Sequence, residues 1–263
     1  MIKITQLTKS FFPGTVNERV ALRDLSFTLA EGDFATVIGS NGAGKSTLLN
    51  IISGRMRPDA GSITIGSRDV TRMSEHRRAG FVSRVFQDPM AGTSPHLTIE
   101  ENLAVALERG RRRGLGQAVT RRRRALFAEE LSRLELGLEN RLTLKVGLLS
   151  GGQRQALSLL MATFVQPEVL LLDEHTAALD PERAALILRL TDEGVARHQL
   201  TTLMVTHNMS QALAHGNRLL MMHDGQIVLD LAAEQKATRT PEDLMAEFSS
   251  HRGELADRML LGD

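Results

Sequence analysis

The chain of 263 residues contains no cysteine, no tryptophan and no tyrosine. Without cysteine there is no disulfide, no thiolate nucleophile and no cysteine-ligated metal, and a reducing compartment is permitted. The nine phenylalanines are its only Phe, Tyr or Trp residues, so absorbance at 280 nm is almost nil. No run approaches the roughly 18–20 consecutive apolar residues of a transmembrane helix. The N-terminal MIKITQLTKS lacks the apolar centre of a secretory signal. A cytosolic chain is therefore expected, with any membrane role supplied by a partner. An excess of one charge is missing too: 32 Lys and Arg stand against 31 Asp and Glu. That balance gives no global reason to expect a nucleic-acid partner. Neither an internal repeat at solenoid spacing nor a low-complexity linker is present.

What is present is enough apolar residue, 42% of the chain, to bury a full core. IKITQL (2–7) and LSFTLA (25–30) alternate as half-buried strands, the second with Leu25, Phe27 and Leu29 on one face. FATVIG (34–39) is nearly continuous in apolar residues, the pattern of a strand buried on both faces. A helix over 45–53 follows, stopping at Gly54, and GSITI (61–65) and AGFVSRVFQ (79–87) read as further strands. From about residue 90 to 150 the pattern turns helical. TIEENLAVALERG (98–110) opens on Thr98 with Glu100 and Glu101 behind it, and RRRRALFAEELSRLEL (121–136) is a second amphipathic helix. Strand EVLLLDE (168–174), helix 181–198 and strand TTLMVTH (201–207) restore the parallel-sheet rhythm. A hairpin over 216–231 turning at HDG comes next, then short amphipathic helices in PEDLMAEF and ELADRMLL.

The chemistry starts at GSNGAGKS, which fits G-x-x-x-x-G-K-[ST] with Gly39, Gly44, Lys45 and Ser46. Glycines let backbone N–H groups converge on phosphate oxygens, and the following helix points its positive end at the same place. Lys45 can reach the β- and γ-phosphates, and the Ser46 hydroxyl suits Mg²⁺. The motif sits between a buried strand and a helix, the context in which it works. A matching acid lies at the end of VLLLDE: Asp173 emerges at the carboxyl end of a buried strand, where ligands bind in open α/β sheets. Asp173 is expected to hold Mg²⁺ through water, and Glu174 to orient or deprotonate an attacking water.

A second glycine-rich helix start, LLSGGQRQ, follows at 148–155. With these residues in hand, the chain resembles the ATP-binding subunits of ABC transporters over essentially its whole length. GSNGAGKST looks like the Walker A loop, VFQDP like the Q-loop with Gln87, and LSGGQ (149–153) like the signature motif. LLLDE looks like Walker B, AALD (177–180) like the D-loop, and VTHN like the switch segment with His207. The resemblance implies a P-loop NTPase α/β core with an antiparallel β subdomain and an inserted α-helical subdomain. The expected layout is a nucleotide-binding core of 1–87 and 166–235, a helical insertion at 88–165 and a C-terminal extension over 236–263.

The resemblance also implies roles. ATP is held by Gly39, Ser40, Asn41, Gly42, Ala43, Gly44, Lys45, Ser46 and Thr47, with Mg²⁺ on Ser46, Gln87 and Asp173. In this family two subunits pack head to tail, and each ATP lies between the Walker A loop of one and the signature motif of the other. Ser150, Gly151, Gly152 and Gln153 would therefore serve the second subunit's nucleotide. Glu174, His207 and Gln87 are the implied catalytic group, and Asp180 would cross the dimer interface. The adenine would stack on Phe11, with Phe12 as the neighbouring candidate and a core role for Phe11 the alternative. Two departures stand out: His175 follows Glu174 where relatives carry Pro or another small or apolar residue, and Ala177 replaces the usual Ser. His175 is read as a turn residue rather than a proton carrier.

Seven arginines fall at Arg111–Arg113 and Arg121–Arg124. They read either as a solvated helix face with Glu129 and Glu130 as local partners, or as a contact for anionic lipid or a permease loop. The implied protein is the ATPase motor of a bacterial importer of a small solute, an amino acid among the candidates. It would form an ATP-dependent homodimer beneath a transmembrane permease, served by an extracytoplasmic substrate-binding protein, on the cytoplasmic face of the membrane. An exporter ATPase and a soluble non-transport ABC ATPase are the alternatives. The residues beyond 235 are expected to pack on the core rather than regulate.

Overall fold

The computed structural model describes residues 1–110 and 116–250. In chain order its elements begin with β1 (Ile2–Phe11), β2 (Arg19–Leu29), β3 (Phe34–Gly39), α1 (Lys45–Ser53), β4 (Ala60–Ile65) and β5 (Arg68–Asp69). Next come α2 (Glu75–Arg78), β6 (Val82–Val85), α3 (Pro89–Gly92), α4 (Ile99–Leu107), α5 (Arg121–Ser132) and α6 (Gly151–Thr163). Then follow β7 (Val169–Asp173), α7 (Pro181–His198), β8 (Thr201–Val205), α8 (Met209–Ala214), β9 (Arg218–His223), β10 (Gln226–Ala232) and α9 (Ala233–Ala237). The chain divides into two units, Met1–Arg72 with Leu203–Asp263, and Met73–Thr202.

The first unit holds a four-stranded antiparallel sheet in the order β2-β1-β4-β5. Its buried face follows the period-2 pattern at Ile2 and Ile4 on β1 and at Leu25, Phe27 and Leu29 on β2, while a register irregularity between Ile4 and Leu7 shifts the phase so that Leu7 is buried too. Strand β3, buried from Phe34 to Ile38, pairs in parallel with β9, which returns antiparallel into β10. The β9–β10 turn places Asp224 and Gly225 both at positive φ, 45° and 79°, as a two-residue hairpin loop requires. Residues 241–250 form a helix that inserts Leu244 into a cluster with Ile38, Ala212, Leu219, Met221 and Leu231. Phe248 adds an edge-on contact to His223, with ring centroids 5.9 Å apart. Lys236 is buried and its ammonium is bound by the carbonyls of His215 and Gly216. These described C-terminal residues pack onto the unit; the second expected helix, ELADRMLL, lies outside the described residues.

The second unit pairs β6 with β7 in parallel, Val82 opposite Val169 through Val85 opposite Leu172. Strand β6 is shorter than the expected 79–87, because α2 ends in a turn in which Phe81 N–H donates to Arg78 O. Arg78 is itself buried, its Nε bonded to Met73 O. Helix α4 starts at a reciprocal capping box: Thr98 Oγ accepts from Glu101 N–H while the Glu101 carboxylate accepts from Thr98 N–H. Donation from the Thr98 N–H and from the Thr98 hydroxyl holds the Glu101 carboxyl below its ordinary range. Phe127 of α5 is fully buried and meets Phe164 at a tilted 5.9 Å contact. Helix α7 runs from Pro181 to His198, the span read from the sequence, with Asp180 as its N-cap.

The expected partners of the arginine run are corrected. Arg123 pairs with Glu108, and Arg124 makes a two-pronged pair with Glu100. Glu129 and Glu130 are both engaged by Arg133. Helix spacing is the reason: Arg133 stands four and three residues after them, whereas no arginine of the run lies within four. Arg111–Arg113 lie outside the described residues. No described helix is long and apolar enough to cross a membrane.

Candidate functional site

Strand β3 delivers the phosphate loop because its side chains are buried on both faces and fix where Gly39 emerges. Two glycines are obligatory there. At Gly39, φ is 154° and a Cβ would stand 2.2 Å from Met222 O on β9; at Gly44, φ is 100° and a Cβ would stand 2.3 Å from Ala21 O. The loop closes through Ala43 N–H to Ser40 O at 3.1 Å and is tied to the hairpin turn by Gly225 N–H to Ala43 O at 3.1 Å. Helix α1 then begins at Gly44 with no side-chain cap and no acid in its first turn. No side-chain oxygen caps its start and no acid offsets its positive dipole end. Lys45 is buried, and its ammonium curls back into the loop, donating to Gly39 O at 2.7 Å and Ser40 O at 3.0 Å. Ser46, Asn41 and Gly42 are exposed; Ser40 and Thr47 are half-buried; Ala43 is buried.

The same unit carries His207 and Phe11. Thr206 N–H donates to Val37 O at 3.1 Å, two residues before Gly39, so the exposed His207 leaves the chain beside the end of β3. Asn208 behind it caps α8 by accepting from Gln211 N–H. Phe11 is the half-buried last residue of β1, opposite Arg19 on β2, while Phe12 is well exposed at a positive φ of 53°. Arg19 is a residue that sequence reasoning missed. Its Nη2 donates to Gly42 O at 3.1 Å, linking the strand end that bears Phe11 to the phosphate loop. No local sequence pattern announces this link, which depends on the pairing of Phe11 with Arg19 between β1 and β2.

In the second unit the parallel register sets the acidic group. Leu172 is opposite Val85, so Asp173 and Gln87 follow at the carboxyl ends of neighbouring strands. Gln87 is exposed, and Asp173 and Glu174 are half-buried. Asp173 is held by Arg84, whose Nη2 donates to Oδ2 at 2.5 Å and whose guanidinium lies 4.9 Å over the Phe86 ring. Arg84 also went unrecognised. The signal was a charged residue between the buried positions of a short strand, Val82, Ser83 and Val85, which calls for a buried partner. Glu174 has a left-handed backbone, φ 45°, an uncommon conformation for a residue with a Cβ.

The signature segment starts α6. Ser150 caps it: its Oγ accepts from Gln153 N–H at 3.3 Å, and Gln153 Oε1 accepts from Ser150 N–H at 3.1 Å. Gln153 is thus occupied in the cap, while Ser150 keeps its hydroxyl hydrogen for another acceptor. A turn later, Gln155 Nε2 donates to Phe86 O at 3.3 Å and Arg154 reaches Met90 Sδ at 3.2 Å. The signature helix is therefore in direct contact with the segment bearing Gln87. Asp180 caps α7, accepting from Arg183 N–H at 3.1 Å and pairing with the Arg183 guanidinium at 3.3 Å. The structure thus groups the phosphate loop, His207 and Phe11 on one unit, and Gln87, Asp173, Glu174, the signature segment and Asp180 on the other.

Comparison with known proteins gives a consistent result. Residues 22–177, more than half of the chain, match the family model described as ABC transporter. The chain is 45% identical to a tyrosine transport ATP-binding protein of Clostridioides difficile, over 94% of this chain and 98% of that one. It is 38% identical to a sulfate/thiosulfate import ATP-binding protein of Mycobacterium bovis, over 79% of this chain but only 56% of that longer one. Among solved structures it resembles the ATP-binding cassette MJ0796 in a dimeric post-hydrolysis state bound to ADP and Pi. That match has a TM-score of 0.76 and 28% identity over 89% of this chain and 99% of that one.

Proposed function

The chain belongs to the ABC transporter family, as an ATP-binding subunit with ATPase activity, and from that premise we propose that it drives a bacterial importer of an amino acid of the tyrosine class. What supports the cargo class is one observation, the 45% identity to a tyrosine transport ATP-binding protein along nearly the full length of both chains. What supports the catalytic reading is the loop around Lys45, built on glycines that no residue with a Cβ could replace without striking Met222 O or Ala21 O, together with the two acids at the end of β7.

Each residue takes a defined part. Backbone N–H groups of Gly39–Thr47 and the start of α1 cradle the phosphates, Lys45 exchanges its carbonyl partners for β- and γ-phosphate oxygens, and Phe11 stacks on adenine. The donor set proposed for Mg²⁺ is the Ser46 hydroxyl, the Gln87 amide oxygen and Asp173. It consists of hard oxygens only, which fits this cation. Bound there, Mg²⁺ would neutralise phosphate charge. Glu174 orients and deprotonates the attacking water, His207 hydrogen-bonds the γ-phosphate and holds Glu174, and Gln87 relays the state of the site to α6 through Phe86 and Gln155.

Two copies close head to tail, so that Ser150, Gly151, Gly152 and Gln153 of one copy and Asp180 at its interface complete the site of the other. The proposed layout keeps 1–87 and 166–235 as nucleotide-binding core, 88–165 as helical insertion and 236–263 as extension. Permease subunits at the cytoplasmic face of the membrane, with an extracytoplasmic binding protein, complete the transporter.

Glu174→Gln tests the chemistry: turnover should vanish while ATP stays bound, and unchanged turnover refutes the role. Co-purification from the native operon in mild detergent tests the setting. A polytopic permease together with lost tyrosine uptake on deletion supports the proposal; soluble partners alone overturn the transport role.

A further inference from the structure

Glu174 has its side chain half-buried and its backbone in the left-handed region, φ 45°. Such a conformation persists only where the neighbours impose it. On one side the neighbour is Asp173, tied to Arg84. On the other it is His175, which is 2% exposed and lies in the turn closed by Ala177 N–H to Glu174 O at 3.0 Å. His175 Nε2 is 3.1 Å from Oγ1 of Thr191, a residue of α7 only 1% exposed. The Thr191 hydroxyl has one hydrogen, and it donates that hydrogen to Ile187 O at 2.8 Å. With that hydrogen directed to Ile187 O, the Thr191 oxygen is left to accept from His175 Nε2–H, and this contact orients the ring. Buried hydrogen-bonded pairs of this kind are rigid, because breaking one strands a donor away from water.

We infer that His175 is a positioning residue: through Thr191 it pins the strained backbone of Glu174 to helix α7 and so aims the carboxylate at the attacking water. The inference rests on the reading of Glu174 as the general base. His175 itself neither touches the nucleotide nor transfers a proton. The loop at Lys45 that holds the phosphates lies in another segment and Asp173 has its own anchor in Arg84, so loss of the pin impairs the chemical step and spares nucleotide binding.

The test is made on the full chain with four proteins: the native sequence, Thr191→Val, Thr191→Ser and Glu174→Gln. Valine keeps the shape of threonine and removes the acceptor; serine keeps the hydroxyl. Steady-state ATPase activity, equilibrium binding of a fluorescent ATP analogue and Tm are measured for each. The expected result is a fall in kcat of about tenfold or more for Thr191→Val with KM and analogue affinity within about twofold, and restoration by Thr191→Ser. A Thr191→Val kcat within about twofold of native, alongside an inactive Glu174→Gln, overturns the inference and leaves the general base standing. Loss of kcat together with loss of nucleotide binding, or no restoration by serine, reduces His175 to a fold-stabilising contact and overturns it as well. Full turnover by Glu174→Gln instead overturns the reading beneath it.

Discussion

Replacing Arg84 by Met should expose how much the acidic end of β7 depends on one cation. The Arg84 and Asp173 side chains are 9% and 16% exposed, with nitrogen and oxygen 2.5 Å apart. With charge centres about 4 Å apart and an effective dielectric near 20, their gross attraction is about 4 kcal/mol, and desolvation of both groups takes back most of it. Removing the arginine does not remove the desolvation already imposed on Asp173. Breaking a buried pair from one side costs roughly 3–5 kcal/mol, and the residual exposure of Asp173 lowers the expectation to about 2–4 kcal/mol. Loss of the guanidinium from the face of Phe86 adds about 0.5–1 kcal/mol. Removing both charges in Arg84→Met with Asp173→Asn should recover part of the loss, giving a coupling of about 1–3 kcal/mol in a double-mutant cycle. The assay is urea unfolding followed by far-UV circular dichroism, since the chain has no Trp or Tyr to report by fluorescence. A loss below about 0.5 kcal/mol for Arg84→Met, or a coupling indistinguishable from zero, would refute the reasoning.

Gly39→Ala should abolish ATP binding in a direct binding assay, because its Cβ would fall 2.2 Å from Met222 O, whereas Gly116→Ala, with nothing within 4 Å, should bind as the native chain does. Asp59 accepts from Lys9 Nζ at 2.6 Å and Ser10 N–H at 2.7 Å. Burial pushes its carboxyl up, but the bonds from Lys9 and Ser10 and the Lys9 charge outweigh this and leave it below its ordinary 3.8. A depressed carboxyl stabilises the fold fully above its unfolded value and loses that contribution as pH falls through the folded one. Asp59→Asn should therefore lower Tm at neutral pH, and the gap to the native chain should narrow below pH 3.8; a constant gap would contradict the pair.

Which parts of the molecule could be read from the sequence follows from how local their causes are. The phosphate loop, α1 with its stop at Gly54 and the whole of α7 were legible, because strand, turn, cap and helix are contiguous in the chain. The capped start of α4 was legible for the same reason, Thr98 and Glu101 being three residues apart. The Arg84–Asp173 pair joins residues 89 apart and depends on the register of β6 with β7, which no local pattern encodes. Arg19 on Gly42 and Arg124 on Glu100 have the same character, at separations of 23 and 24. The assignment of Glu129 and Glu130 to the arginine run was a different error. Spacing along α5 already excluded it, since Arg133 alone stands at i+3 and i+4.

The two glycine-rich helix starts look alike in sequence and differ in what the fold leaves open. Helix α1 begins on Gly44 with no side-chain cap and no acid in its first turn, so neither a capping oxygen nor a carboxylate competes with an anion at its positive end. Helix α6 begins with a reciprocal box that already consumes the N–H of Ser150 and of Gln153. What remains to it is the Ser150 hydroxyl hydrogen and the N–H groups of Gly151 and Gly152, which by helix geometry have no carbonyl one turn back. Gly152 is also where the Arg183 side chain lies, 2.9 Å from the position of an absent Cβ, so this helix start is packed as well as capped. A site with fewer donors and a self-satisfied cap is a poor anion receptor alone. It contributes best to a phosphate already held elsewhere, which is the division of labour expected if the loop at Lys45 binds ATP in one copy and Ser150 closes over it from another.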